Sequence, residues 1–213
     1  MDLYFSPMAC SMATRIALYE SGDSANFLEV DPKTKRLLGD DADYLAIYPL
    51  GMVPALRTDE GELLTENAAI LQYVADRRPE SGLAPGGPIE RARLNQWLCF
   101  IGTELHKGLF VPLLSKKAPA EMKAHVLANN LSRLAWLDKY LTGRQFLLDR
   151  FTVADAYLAT VLNWTQVIPS IDMSRYPALV DYLERLRKRA SVAKAISEEA
   201  GLYRAELARH KAA

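Results

Sequence analysis

The chain has 213 residues, half of them hydrophobic, which is enough material for one large domain or two small ones. Its 26 basic residues balance its 26 acidic residues, and this balance argues against a nucleic-acid partner and against a polybasic membrane-surface protein. No apolar run approaches the roughly 18–20 residues of a membrane span. No basic segment followed by an apolar stretch opens the sequence, so neither a membrane helix nor a secretory signal is predicted.

The two cysteines, Cys10 and Cys99, are too few for a disulfide framework. They form neither a CxxC pair nor a zinc-ligand cluster, so no metal site is predicted. Two thiols without an export signal are typical of a reducing compartment, and we expect a cytoplasmic protein.

The first 78 residues alternate short strands with short helices. The apolar patterning predicts strands at residues 3–5, 27–30, 53–57 and 62–65, and helices at 10–21 and 68–75. The order β-α-β followed by β-β-α predicts a small α/β domain with four strands. A turn signal at residues 59–61 predicts that the third and fourth strands form a hairpin.

Pro54 opens the third predicted strand, where it removes a backbone donor. One resolution is a cis Val53–Pro54 bond at a bend, with the Val53 backbone turned outward. An exposed strand edge of this kind can pair with a peptide ligand. The alternative is an edge strand that proline simply closes.

Residues 79–87 have the proline and glycine content of a linker, and the pattern changes after them. Helical periodicity runs through 89–115, 120–140, 153–167, 176–189 and 192–208, so residues 88–213 are predicted to be an all-helical second domain. We expect the three tryptophans, Trp97, Trp136 and Trp164, in its core, and His125 and His210 in solvent.

Cys10 follows a strand and a Ser-Pro turn, at the start of a predicted helix. Backbone amides at a helix N-terminus are unpaired and favour negative charge, so a thiolate there is stabilised and able to react. The alternative is a small buried hydrophobe. The absence of a second cysteine at Met12 or Ala13 excludes a thioredoxin-style dithiol cycle.

Glu66 and Asn67 stand where the fourth strand meets the next helix. At that position backbone donors can hold a carboxylate, and an acidic side chain can hold an ammonium. Simple helix capping is the alternative.

The helical half carries two further polar patterns. Cys99, Thr103 and His106 recur at helical spacing and are predicted to share one face. Thr152 and Asp155 have the spacing of a capping box that starts a buried helix, which is a structural role.

Five segments in order carry a family resemblance over essentially the whole chain. They are YFSPMACS at 4–11, MVPAL at 52–56, LTENAAI at 64–70, TELHKG at 103–108 and FTVADAYL at 151–158. With these segments the chain resembles the bacterial cytosolic glutathione transferases of the beta class.

The resemblance implies a thioredoxin-like N-terminal domain over residues 1–78 and an all-α C-terminal domain, assembled as a homodimer. It implies an enzyme that conjugates glutathione, its co-substrate, to small electrophilic hydrophobic molecules in detoxification. No metal is implied.

The resemblance also implies roles for individual residues. Cys10 would lie beside the glutathione sulfur, and Val53, before a cis Pro54, would pair its backbone with the cysteinyl group. Glu66 and Asn67 would hold the γ-glutamyl end, and Lys35 would reach the glycyl carboxylate.

His106 would line the cleft beside the thiol and act with Cys10 in catalysis, and the amide of Ser11 would help to hold the thiolate. Further residues would complete the glutathione site near the dimer interface: Cys99, Thr103, Glu104 and Leu105. Two positions depart from the common family pattern, because family members often have serine or glycine at 67 and asparagine at 99.

Two other functions remain open at this point. Cys10 could form a mixed disulfide and serve a glutathione-dependent thiol–disulfide reductase or peroxidase. The chain could also be a non-catalytic binding protein that reuses the fold, since fold does not fix function.

Overall fold

The computed structural model describes residues 1–212, with side chains through residue 211. It contains two compact units. The first comprises Met1–Leu83 together with the last helix, and the second comprises Ala84–Arg189.

A four-stranded sheet forms the centre of the first unit. Its strands are β1 (Asp2–Phe5), β2 (Asn26–Glu29), β3 (Ala55–Arg57) and β4 (Leu63–Thr65), in the order β2-β1-β3-β4. β1 runs parallel to β2 and antiparallel to β3, which forms the predicted hairpin with β4. The predicted small α/β domain is thereby confirmed.

The third strand begins at Ala55, two residues later than predicted. Pro54 has no amide to donate to a neighbouring strand, so regular pairing starts only after it. Leu56 then lies opposite Leu3 on β1 and opposite Leu64 on β4, and this apolar register fixes the strand in the middle of the sheet.

Three helices belong to this unit: α1 (Met12–Ser21), α2 (Asn67–Arg77) and α8 (Ala190–Ala212). α1 packs against both α2 and α8. It ends at Gly22, whose φ of 72° is the left-handed conformation that terminates many helices. The sequence predicts one helical domain over residues 88–213, but the last helix, α8, belongs to the first unit because it packs against α1.

The second unit is entirely helical among its described residues. α3 (Pro88–Phe100) continues through π-helical turns over Ile101–Phe110 into α4 (Val111–Leu114). α5 (Ala120–Leu141), α6 (Val153–Asn163) and α7 (Pro177–Arg187) complete it. Every residue of α6 is buried, as its apolar sequence predicts.

The capping box at the start of α6 is present: the Thr152 side chain and the Asp155 side chain each bond the other's backbone amide. Asp155 also accepts hydrogen bonds from the Leu147 amide at 2.9 Å and from the Tyr182 hydroxyl at 2.7 Å. It therefore joins α6 to α7 and to the segment before α6.

Two expectations about single side chains were wrong. Trp136 is 48% exposed, although its ring stacks on Tyr140 at 5.8 Å, so it covers the surface of the helical unit. His210 is not solvated, because its Nε2 lies 2.8 Å from Asp31 Oδ2 within the first unit. A carboxylate on a distant loop, which helical periodicity does not reveal, explains the second error.

Candidate functional site

Cys10 lies in the turn that precedes α1, two residues before the first helical residue, and is partly exposed. Its thiol donates a hydrogen bond to the Val53 carbonyl, with a sulfur–oxygen distance of 3.2 Å. The cysteine is thus not a buried core residue, and its thiol is held by the Val53–Pro54 segment.

The amides of the first helical turn are largely used within the turn. Met12 donates to the Ala9 carbonyl and Ala13 to the Cys10 carbonyl. Cys10 and Ser11 themselves lie directly before α1, at the N-terminal end of its dipole. The Ser11 hydroxyl is buried and faces the Ser6 carbonyl at 3.3 Å, so Ser11 can contribute only through its backbone.

The Val53–Pro54 peptide bond is cis, as the family resemblance implies, and β3 lies inside the sheet, so the edge-strand alternative is wrong. Two side chains hold the segment just before it: the Tyr44 hydroxyl donates to the Met52 carbonyl at 2.7 Å, and Lys35 Nζ donates to the Gly51 carbonyl at 2.9 Å. Burial raises the pKa of Tyr44 far above its usual value, so its hydroxyl remains a neutral donor. Sequence reasoning missed Tyr44, since one tyrosine in a loop carries no local signal.

Glu66 precedes α2 with a φ of 65°, a left-handed conformation that is uncommon for a residue with a side chain. Its side chain is exposed and does not cap the helix, so the capping alternative is wrong for Glu66. An exposed carboxylate held at a helix start by a constrained backbone is suited to bind a cation.

Asn67 faces the interior. Its Nδ2 donates to the Cys10 carbonyl at 3.0 Å, and its Oδ1 accepts from the Thr14 hydroxyl at 3.3 Å. The side chain thus links α2 to the Cys10 turn and to α1. The family resemblance implies that Asn67 also holds the γ-glutamyl end of glutathione, which stays a prediction.

His106 is buried in the π-helical turns of the second unit. Its Nδ1 lies 2.7 Å from the Tyr157 hydroxyl, and its ring packs on Trp164 at a centroid distance of 5.1 Å. Burial, and to a lesser degree the nearby Lys107 charge, lower the pKa of His106 to about 4. The imidazole is neutral at pH 7 and can serve as a hydrogen-bonding group rather than a cation.

The predicted face of Cys99, Thr103 and His106 is not uniform. Cys99 and Thr103 are exposed, with the Thr103 hydroxyl donating to the Cys99 carbonyl at 3.0 Å, whereas His106 is buried. The wider π turns change the direction of side chains relative to a regular helix, which spacing arguments for α-helices do not anticipate.

The neighbouring predicted residues have partners within the same unit. Glu104 pairs with Arg133 at 3.0 Å, and Leu105 is fully buried. Gly108 follows, and a Cβ there would lie 2.9 Å from the Thr103 carbonyl oxygen, so the close turn requires glycine.

The described residues contain no group of three or more side chains placed to hold a metal ion. Among the same residues, no helix is both long and apolar enough to cross a membrane.

Comparison with known proteins identifies the family. Residues 2–82 match the glutathione S-transferase N-terminal domain, and residues 131–185 match the glutathione S-transferase C-terminal domain. The chain belongs to the glutathione S-transferase family.

Similar relatives cover nearly the whole chain. Glutathione S-transferase GstA of Escherichia coli O157:H7 is 41% identical over 201 residues, which are 93% of this chain and 98% of GstA. Among solved structures, a sphingomonad glutathione S-transferase complexed with glutathione is 43% identical, with a TM-score of 0.89 over 94% of this chain and 99% of that one. The beta-class transferase of Sphingomonas chungbukensis is 42% identical, with a TM-score of 0.88 over 93% and 98% of the two chains. The resemblance to beta-class glutathione transferases is therefore confirmed.

Proposed function

We propose that this glutathione S-transferase conjugates glutathione to electrophilic, largely apolar molecules. The observation that carries the proposal is the junction in the first unit where the Cys10 thiol bonds the Val53 carbonyl beside the cis Val53–Pro54 bond. The family to which the chain belongs and its likeness to a transferase complexed with glutathione support the same conclusion.

The first unit offers a complementary group for each part of the tripeptide. We propose that the Val53 backbone pairs with the cysteinyl residue, as in strand addition. The exposed Glu66 carboxylate suits the γ-glutamyl ammonium. The Lys35 ammonium suits the glycyl carboxylate and would exchange its bond to the Gly51 carbonyl for that charge-assisted one.

The chemical step is attack of the glutathione thiolate on the electrophile, whose leaving group departs with the bonding electrons. An ordinary thiol is only a few per cent ionised at neutral pH. Lowering the pKa of the bound glutathione thiol by two units corresponds to roughly 2.7 kcal/mol. Backbone amides at Cys10 and Ser11 are the proposed source of that stabilisation, and positioning supplies much of the remaining acceleration.

His106 remains a proposed catalytic residue. Because its imidazole is neutral at pH 7, its proposed role is to donate or accept a hydrogen bond. Cys99, Thr103, Glu104 and Leu105 remain proposed glutathione contacts. The buried Leu105 side chain and the Glu104–Arg133 pair limit these two residues to backbone or shared contacts.

A second activity is favoured by the accessibility of the Cys10 thiol. Its thiolate would attack a glutathione mixed disulfide, form a Cys10–glutathione disulfide and release the other thiol. A second glutathione would then reduce Cys10 and leave as glutathione disulfide, so that glutathione supplies both electrons.

We also propose that the protein is a cytoplasmic homodimer with a role in detoxification. Light scattering of the purified protein tests the dimer, and a mass of one chain would contradict it.

The deciding experiment measures binding to immobilised glutathione and turnover of an activated aryl chloride, with wild-type protein and Cys10→Ala. Conjugation supports the transferase, and loss of disulfide exchange in Cys10→Ala supports the second activity. Failure of the wild-type protein to turn over the aryl chloride would contradict the transferase, and failure to bind glutathione would overturn both activities and favour the non-catalytic alternative.

A further inference from the structure

The turn that leads into Cys10 is held by a carboxylate from the other end of the chain. The Met8 amide donates to Glu199 Oε2 at 2.7 Å, and Glu199 lies on α8, 191 residues later. Both residues belong to the first compact unit.

Met8 has a φ of 60°, which is the left-handed region that side-chain-bearing residues rarely adopt. Such a conformation persists where surrounding groups fix it. The amide of this same residue donates its hydrogen bond to a buried carboxylate, and this interaction helps to orient the peptide plane. Cys10 follows two residues later, so the Met8 conformation sets the path of the backbone that carries the thiol.

The carboxylate is itself fixed from its other oxygen. Arg15 Nε donates to Glu199 Oε1 at 2.9 Å, and the exposed fractions of the two side chains are 4% and 0%. The guanidinium carbon of Arg15 lies 4.3 Å from the Phe5 ring centroid and 3.9 Å from that of Phe27. The two rings fix the position of the Arg15 guanidinium, and its hydrogen bond to Oε1 fixes the position of the Glu199 carboxylate.

Glu198 provides a contrast on the same helix. It accepts a hydrogen bond from Arg15 Nη1 at 3.3 Å and one from the Tyr19 hydroxyl, but its side chain is 40% exposed. Glu198 contacts Arg15 and Tyr19 of α1, whereas Glu199 contacts both α1 and the Met8 turn.

We propose that Glu199 is a positioning residue for Cys10: its carboxylate fixes the left-handed Met8 turn and thereby the backbone that presents the thiol to glutathione. The expected effect on glutathione turnover rests on the proposed function, whereas the expected effect on the reactivity of the Cys10 thiol does not.

The test compares Glu199→Gln, which removes one of the two acceptor oxygens, with Glu198→Gln, the same chemical change one residue earlier. The first readout is the rate of Cys10 alkylation by iodoacetamide without glutathione, followed on the Cys10 peptide by mass spectrometry. The second is the KM for glutathione and the kcat with an activated aryl chloride. Both are measured at pH 8, because burial raises the pKa of Glu199 to about 7, and at a temperature where circular dichroism shows each variant to be folded.

We expect Glu199→Gln to change the Cys10 alkylation rate at least fivefold and to lower kcat/KM for glutathione at least tenfold, with Glu198→Gln within twofold of wild type. The double variant Met8→Gly/Glu199→Gln should have a kcat/KM for glutathione at least threefold higher than that of Glu199→Gln. The reason is that glycine adopts the left-handed conformation without steric cost. A purely structural role for Glu199 predicts no such restoration.

The inference is overturned if folded Glu199→Gln matches wild type within twofold, if Glu198→Gln has an equal effect, or if Met8→Gly restores nothing. If Glu199→Gln does not fold, hydrogen exchange of the wild-type protein decides: the Met8 amide should exchange at least 100-fold more slowly than in a free peptide. Exchange at the free-peptide rate overturns the inference. A wild-type protein that does not turn over glutathione would contradict the proposed function, and the alkylation rates would still test Glu199.

Discussion

Asn67 donates its side-chain amide to the backbone carbonyl of Cys10 across 3.0 Å, although 57 residues separate the two along the chain. The same side chain accepts a hydrogen bond from Thr14. Asn67 is therefore an internal brace between α2, the cysteine turn and α1.

Replacing this brace should loosen the turn. Asn67→Ala removes one hydrogen bond from the Thr14 hydroxyl and one from the Cys10 carbonyl. We expect the free energy of unfolding to fall by about 1–3 kcal/mol. Urea denaturation measures it. Gln72→Ala on the same helix serves as the control, because this side chain is only partly buried and its amide bonds the Ala68 carbonyl one turn earlier. It should change stability by less than about 0.5 kcal/mol. Equal effects of the two changes would contradict the brace.

Glu66 offers a separation of binding from stability. Glu66→Ala should weaken glutathione binding by about 2 kcal/mol, roughly 30-fold in Kd, because it removes the carboxylate proposed to meet the ammonium. Glu66→Gly should lose the same affinity yet melt at a higher temperature than Glu66→Ala, because glycine tolerates the φ of 65°. Calorimetry and thermal denaturation measure the two effects. Unchanged glutathione affinity in both variants would remove Glu66 from the site.

His106 should make stability depend on pH. Its folded pKa of about 4 lies below the unfolded value of about 6.5, so the unfolded chain binds more protons between these values. The contribution of His106 to the free energy of unfolding is complete above about pH 6.5 and is lost as the pH falls towards 4. Urea unfolding at pH 5, 6 and 7 should show a smaller loss in His106→Gln than in wild type. His125→Gln, at an exposed histidine, should keep the wild-type slope, and an identical slope in His106→Gln would contradict the burial argument.

Asp155 should be a large single contribution to the helical unit. It is fully buried and accepts hydrogen bonds from Leu147, Thr152 and Tyr182. Asp155→Ala leaves these donors unsatisfied, and we expect a loss of about 3–5 kcal/mol, more than an ordinary cap contributes. Thermal denaturation checks it, with Asp149→Ala on the exposed surface as the control. A loss below about 1 kcal/mol would show that the cap alone matters.

Local patterns were sufficient for much of this molecule. The strands, the hairpin and the capping box at Thr152 all follow from residues close together in the chain, and the cis Val53–Pro54 bond is one of the two structures that the position of Pro54 allowed. Each of these features is decided by periodicity, a missing amide or a side chain three residues away.

The remainder depends on partners far away in sequence. The Tyr44–Met52 bond, the Asn67–Cys10 bond and the Glu199–Met8 bond each require a tertiary contact that no spacing rule encodes. The burial of His106 was missed for another reason, because π-helical turns replace the regular helix on which the face prediction depended.

The placement of α8 in the first unit bears on how that unit folds. Arg15 is enclosed by two phenylalanine rings, and the carboxylate of Glu199 that pairs with it lies on α8, outside Met1–Leu83. A polypeptide of Met1–Leu83 alone would hold this cation without the Glu199 counter-charge, and an isolated buried charge is strongly unfavourable. We therefore expect the segment Met1–Leu83 to need α8 before the first unit can complete its fold.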